Sequence, residues 1–315
     1  MSLNAGDDNM RGNSAKHVSG VAGSLVSMAI FVWPVMGAEI AAPIPDLSGQ
    51  WGRNAFNFEV LSSGPHPVTN LRRTGDDAAR AVIVGDPIPL VGDYTNPILK
   101  PEAAEVVKKK GELSLAGVTY PSPANQCWPE PVPFIFKNFG MMMLQRPQEI
   151  MILYDEGPDV RHVRMNQPHP AKLTPSWYGD SVGHYEGDTL VIDTVGTRTD
   201  GPFAMLDLYG TPYTKALHVV ERYRLIDYEA AQEGLQRDAK ENQRVPGDID
   251  PNYRGKFLQV AFTVEDEGVF TTPWTGTITY RPARDPWQEI VCAENTHEYY
   301  YNKESEVPTA ARPDF

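Results

Sequence analysis

Residues 184–196 read HYEGDTLVIDTVG, and residues 216–227 read ALHVVERYRLID. In the first stretch, Glu186-Gly187-Asp188-Thr189 has the composition of a tight hairpin turn. It feeds Leu190-Val191-Ile192-Asp193-Thr194, in which apolar and polar side chains alternate. The second stretch alternates the same way through His218-Val219-Val220-Glu221-Arg222-Tyr223. Outward from these, similar runs occupy 133–147, 149–156, 160–167, 256–266, 276–283 and 289–296. Each is rich in β-branched or aromatic residues and bounded by turn formers. Strands in succession without βαβ alternation predict an all-β, mainly antiparallel fold around one core, a single barrel or a sandwich. Two short helices interrupt it. One starts at Pro101 and ends at the lysines 108–110 before Gly111; the other runs from Tyr228 to Lys240.

Composition narrows the function classes. The chain of 315 residues carries a net charge of −13, which argues against nucleic acid as a partner. The densest basic run, Lys108-Lys109-Lys110, sits among Glu102, Glu105 and Glu112 and reads as a solvated helix end. Prolines (28) and glycines (26) favour many turns over long helices. Residues 1–38 have the three parts of a secretory signal: Arg11 and Lys16, an apolar run over 21–35, and small residues at Gly37 and Ala38. That run is shorter than a bilayer span requires, so no stable membrane span is expected once the signal is removed. The expectation is a periplasmic or secreted protein with a β-rich domain over 39–315. Two cysteines, Cys127 and Cys292, form a disulfide or remain two buried thiols. The sequence sets no oligomeric state.

The segment 165–199 concentrates polar and aromatic groups near turn prolines and glycines: His169, Trp177, Tyr178, Asp180, Ser181, His184, Tyr185, Glu186, Asp188 and Asp193. Such a density suits a ligand-facing rim. PSWYGDSVGHYEGDTLVIDTVG, preceded by NQPHP and followed by LHVVERYRLID, resembles a family of uncharacterised exported bacterial proteins. That family shares DLSGxW, CxPxxVP, W-x-GDSVG-x-x-EGDTLVVDT and FTxPWT. Here they stand as DLSGQW at 46–51, CWPEPVP at 127–133, the long motif at 177–194 and FTTPWT at 270–275. The resemblance covers nearly the whole mature chain and implies export and a β-rich fold, with no established activity. The Gly49-x-Trp51 opening is also similar to that of lipocalin-like barrels.

Four chemistries bear on this segment. His169 or His184 with Asp180 or Glu186 suits general acid–base work, with Tyr178 as a donor to a developing oxyanion. His162, His169 and His184 are too widely spaced for a standard zinc site, and no CxxC occurs. Gly179-Asp180-Ser181-Val182-Gly183 matches GxSxG formally, yet that elbow belongs to a strand–turn–helix unit, and strand follows here. No phosphate-cradling glycine loop is present, so no cofactor is expected. Structural readings stand beside these: Asp180 can satisfy backbone N–H groups, and Glu186 and Asp188 can simply shape a hairpin. The expectation is an exported protein with an aromatic-lined pocket for a hydrophobic small molecule. It is a cofactor-independent lyase, hydratase or isomerase, a non-catalytic carrier, or a structural envelope protein. His169, Asp180, His184 and Tyr178 are the catalytic candidates, and Trp177, Tyr185 and Glu186 the ligand-binding ones. His169, Trp177, Tyr178, Asp180 and His184 are expected to line one concave pocket.

Overall fold

A computed structural model describes residues 44–53, 58–61, 63–71, 90–118, 120–138, 140–155, 157, 159–201, 204–241, 250, 252–283 and 287. The expected export signal at 1–38 and Cys292 lie outside them. Ten strands are present: β1 (Gly49–Gly52), β2 (Glu59–Val60), β3 (Gly140–Gln145), β4 (Glu149–Tyr154), β5 (Val160–Met165), β6 (Asp180–Glu186), β7 (Thr189–Val195), β8 (His218–Ile226), β9 (Phe257–Glu265) and β10 (Trp274–Pro282). Among the described residues the α-helices are α1 (Pro101–Leu115) and α2 (Tyr228–Glu241).

Nine strands close a barrel in the order β1-β3-β4-β5-β6-β7-β8-β9-β10, and β10 returns to β1 through Trp51 opposite Pro282. The extra strand β2 pairs with β10 further along. The barrel resolves the choice between barrel and sandwich that alternation alone leaves open. All neighbours are antiparallel except β5 and β6, which are parallel and joined by a crossover at 166–179.

Alternation does what the sequence pattern asks. Ile150, Ile152 and Tyr154 on β4 face inward, as do Val163 and Met165 on β5, Val219 and Tyr223 on β8, and Leu258, Val260, Phe262 and Val264 on β9. Trp51 enters this core from β1 opposite Met141, with its indole N–H donating to the Leu47 carbonyl. The β7–β8 and β9–β10 connections, α1 and the proline-rich segment 127–138 extend the same core beyond the strands through Leu206, Tyr209, Phe270, Val107 and Phe136.

Two boundaries differ from the sequence reading. The strand expected from Phe134 is split: Phe134–Lys137 is a 3-10 turn whose four side chains are all buried, and β3 begins only at Gly140. Consecutive buried residues cannot belong to a strand with one solvated face. Helix α1 continues past Gly111 to Leu115, and that glycine is pressed against Val91, where a Cβ would lie 3.1 Å from a Val91 methyl. No helix among the described residues is long and apolar enough to cross a membrane.

Candidate functional site

The parallel pairing of β5 and β6 is short. Ladder contacts run only from Val163–Met165 to Ser181–Gly183. Before that point Val160, Arg161 and His162 lie beside the turn that precedes β6. Gly179 makes this turn with φ +71°; a Cβ there would lie 2.7 Å from the Val195 carbonyl oxygen. The strands part, and a cleft of about 230 Å³ opens in the barrel wall. Its lip carries Val160, His162 and Arg164, and its other wall carries Ser176, Tyr178 and Asp180. Arg161 and Ser181 belong to its lining as residues, with both of them buried.

Arg161 is 1% exposed and forms a two-point ion pair with Glu221, itself 0% exposed. Nη2 donates to Oε1 at 2.7 Å and Nη1 to Oε2 at 3.0 Å. Tyr223 Oη donates to Glu221 Oε2 at 2.7 Å. Nη1 also reaches Tyr154 Oη, and Nη2 reaches Ser181 Oγ and Thr194 Oγ1, each at 3.3 Å. Burial alone would push the Arg161 guanidinium down, but the Glu221 carboxylate outweighs it and holds the group well above its ordinary value. Burial raises Tyr154 to about 12 and, with Glu221 beside it, raises Tyr223 as well. The remaining guanidinium nitrogen, Nε, is buried and has no hydrogen-bond partner among the described residues.

A second buried cluster backs Tyr178. Its hydroxyl donates to Asp159 Oδ1 at 2.7 Å, which also accepts the Glu130 backbone N–H at 3.1 Å. Lys137 lies 3.2 Å from Glu130, and both are nearly buried. Burial raises the Asp159 carboxyl against the lowering pull of these donors, and burial followed by Asp159 raises Tyr178.

Outside the barrel a row of alternating charges crosses five strands. Arg164 Nη2 donates to both Asp180 oxygens at 2.8 and 2.9 Å. His169, on the crossover, contacts Asp180 through Nδ1 at 2.6 Å and Asp193 through Nε2 at 3.0 Å. His218 Nε2 lies 3.1 Å from Asp193, and its Nδ1 lies 3.5 Å from Glu265. His169 therefore faces a carboxylate on each side. The hydrogen bond to Asp193 raises His218, and the same bond lowers Asp193.

The remaining sequence candidates do not converge on the cleft, which corrects the expectation of one concave pocket. Along β6, Asp180 and His184 share the outer face but lie about 13 Å apart at roughly 3.3 Å per residue. His184 is exposed and pairs with Glu186, which Arg222 Nη1 engages at 2.7 Å. Tyr185, between them, points the other way and packs on the apolar core. Trp177 stands edge-on to Trp128 with centroids 5.0 Å apart, under the Arg198 guanidinium at 4.4 Å. Among the described residues Ser181 has Thr194 and Arg161 as side-chain partners and no histidine. Cys127 is disulfide-bonded.

Sequence reasoning missed Arg161 and Glu221. The signal was their register: Arg161 shares its strand face with Val163 and Met165, and Glu221 shares its face with Val219 and Tyr223. Opposite charges in two inward registers predict a buried pair. Comparison with known protein families, with curated proteins and with solved structures finds no match to this chain.

Proposed function

We propose that this chain is a non-catalytic binding protein for a small polar molecule, held in the cleft between β5 and β6 and working in the periplasm or outside the cell. One observation carries the reading: where β5 and β6 part, a cleft opens that is lined by the polar residues His162, Arg164, Ser176, Tyr178 and Asp180. Polar groups that converge on a concave opening are what orients a small polar ligand. At about 230 Å³ the cleft is smaller than sites for drug-sized molecules, roughly 300–1,000 Å³. Its Arg, His, Ser, Tyr and Asp side chains favour a polar occupant over a hydrophobic one. A histidine with both nitrogens engaged by carboxylates is poorly placed to take a proton from substrate, which supports binding over acid–base catalysis. The disulfide at Cys127 supports an oxidising compartment.

The test is a ligand-observed NMR screen of small polar metabolites against the mature chain and against Val160→Trp, which places an indole at the lip. Compounds that bind the first and not the second are expected. A screen in which nothing binds, or in which every binder is indifferent to the tryptophan, would overturn the reading.

A further inference from the structure

Main-chain groups at the mouth of the cleft say more than its side chains do. Along β5 the peptide groups turn alternately to its two neighbours. Met165 N–H donates to the Gln148 carbonyl, and the Asp159 carbonyl accepts the Tyr154 N–H, so odd-numbered residues bond toward β4. Asn166 N–H donates to the Gly183 carbonyl, so even-numbered residues bond toward β6. The parallel ladder starts with Val163 opposite Ser181, which makes its first bond that of the Ser181 N–H to the His162 carbonyl.

One more residue of ladder would set Gly179 opposite Arg161. Gly179 would then donate to the Val160 carbonyl and accept the His162 N–H. It is turned away instead. Its N–H donates to the Ser176 carbonyl at 3.3 Å, and its carbonyl accepts the Ser176 hydroxyl at 2.9 Å. The Val160 C=O and the His162 N–H therefore have no main-chain partner among the described residues, and both face the side on which the strands part. Val160 is 39% exposed and the His162 side chain 49%, so solvent reaches this edge. On its far side the Val160 N–H lies against the Tyr178 hydroxyl. A single rung is missing, bounded at both ends.

Resting on the reading above, we infer that the ligand of the cleft is an extended peptide that restores this rung, with a glycine at the restoring residue. One extended residue carries both groups needed: its N–H donates to the Val160 carbonyl, and its C=O accepts the His162 N–H. Residues opposite one another in a ladder send their side chains to the same face. Arg161 points inward onto Glu221, and both are fully enclosed. A side chain on the ligand residue opposite Arg161 would be driven into filled space, and glycine has none. The residues on either side of it face outward, where there is room. A cleft of about 230 Å³ suits such a short piece of chain.

Three blocked tripeptides test this on the 15N-labelled mature chain: acetyl-triglycine N-methylamide, its fully N-methylated sarcosine counterpart, and acetyl-trithreonine N-methylamide. The sarcosine peptide has no N–H in any register, and the threonine peptide has a branched side chain in every register. Triglycine is expected to move the His162 backbone amide proton downfield and to bind about tenfold tighter than either of the others. His162→Pro deletes an N–H that makes no ladder bond, and is expected to weaken triglycine binding by about tenfold. Triglycine that leaves the His162 amide unmoved, or binds no tighter than the other two peptides, would overturn the inference. If polar metabolites in the screen above still bind and are lost in Val160→Trp, the cleft remains a site and only its peptide ligand fails. If neither peptide nor metabolite binds, both readings fall. Should circular dichroism show His162→Pro unfolded, the three peptides on the native chain decide alone.

Discussion

Arg161 and Glu221 are two charges withdrawn from water into a barrel whose other inward positions are almost all apolar. A buried ion pair gains little over a well-packed apolar pair, but breaking it leaves one charge stranded. Arg161→Ala is therefore expected to destabilise the fold by about 3–5 kcal/mol in urea unfolding. The double change Arg161→Met with Glu221→Leu should recover most of that loss; if it is as damaging as the single change, the pair is not the cause. At this scale the sequence was only partly readable. The hairpin at Glu186–Thr189 and the alternation of Leu190 to Thr194 follow from local chemistry. That Ser181 meets an arginine rather than a histidine depends on which strands become neighbours, and no local pattern encodes that.

Among the elements, the crossover between β5 and β6 is held by His169, which spans Asp180 on β6 and Asp193 on β7. Removing it with His169→Ala should loosen 170–179 more than the barrel. The expected result is faster amide hydrogen exchange across that segment and a loss of only about 1 kcal/mol in global stability, since these groups are a quarter to a third exposed. Uniform acceleration throughout the barrel would contradict a local fastening. The neighbouring pair adds pH dependence. His218, raised by Asp193, stabilises the fold fully below about pH 6.5 and less as pH climbs through its raised value. Asp193, lowered by His218, contributes above about pH 4 and less as pH falls through its lowered value. Arg164, Asp180, His169 and Glu265 complete the charges facing this row. Thermal melts should therefore show stability declining from about pH 6.5 upward, with a shallower decline in His218→Asn. A rise over that interval would exclude the pair as its source. The strand before the crossover was legible from its residue types, the one after it only from His184 onward, and the parallel course of the pair was not legible, because parallel and antiparallel strands share one period.

For the whole molecule, Trp51 sits where the first strand meets both β3 and β10. Trp51→Ala should cost about 3–5 kcal/mol, read as a lower urea midpoint with an unchanged slope. A change within 0.5 kcal/mol would mean that the seam is held elsewhere. The Gly49-x-Trp51 opening of the DLSGQW motif is similar to that of lipocalin-like barrels, and here the tryptophan packs at the joint of the ring. The pairing of Trp51 with Pro282 also sets an order of events. The first strand is made before β10, the last strand of the sheet in chain order, and its edge toward β10 waits until that strand exists. Until then the sheet is an unfinished ring with two raw margins, open to pairing with other nascent chains. Closure of the ring is what removes those margins, and it comes only with the last strand.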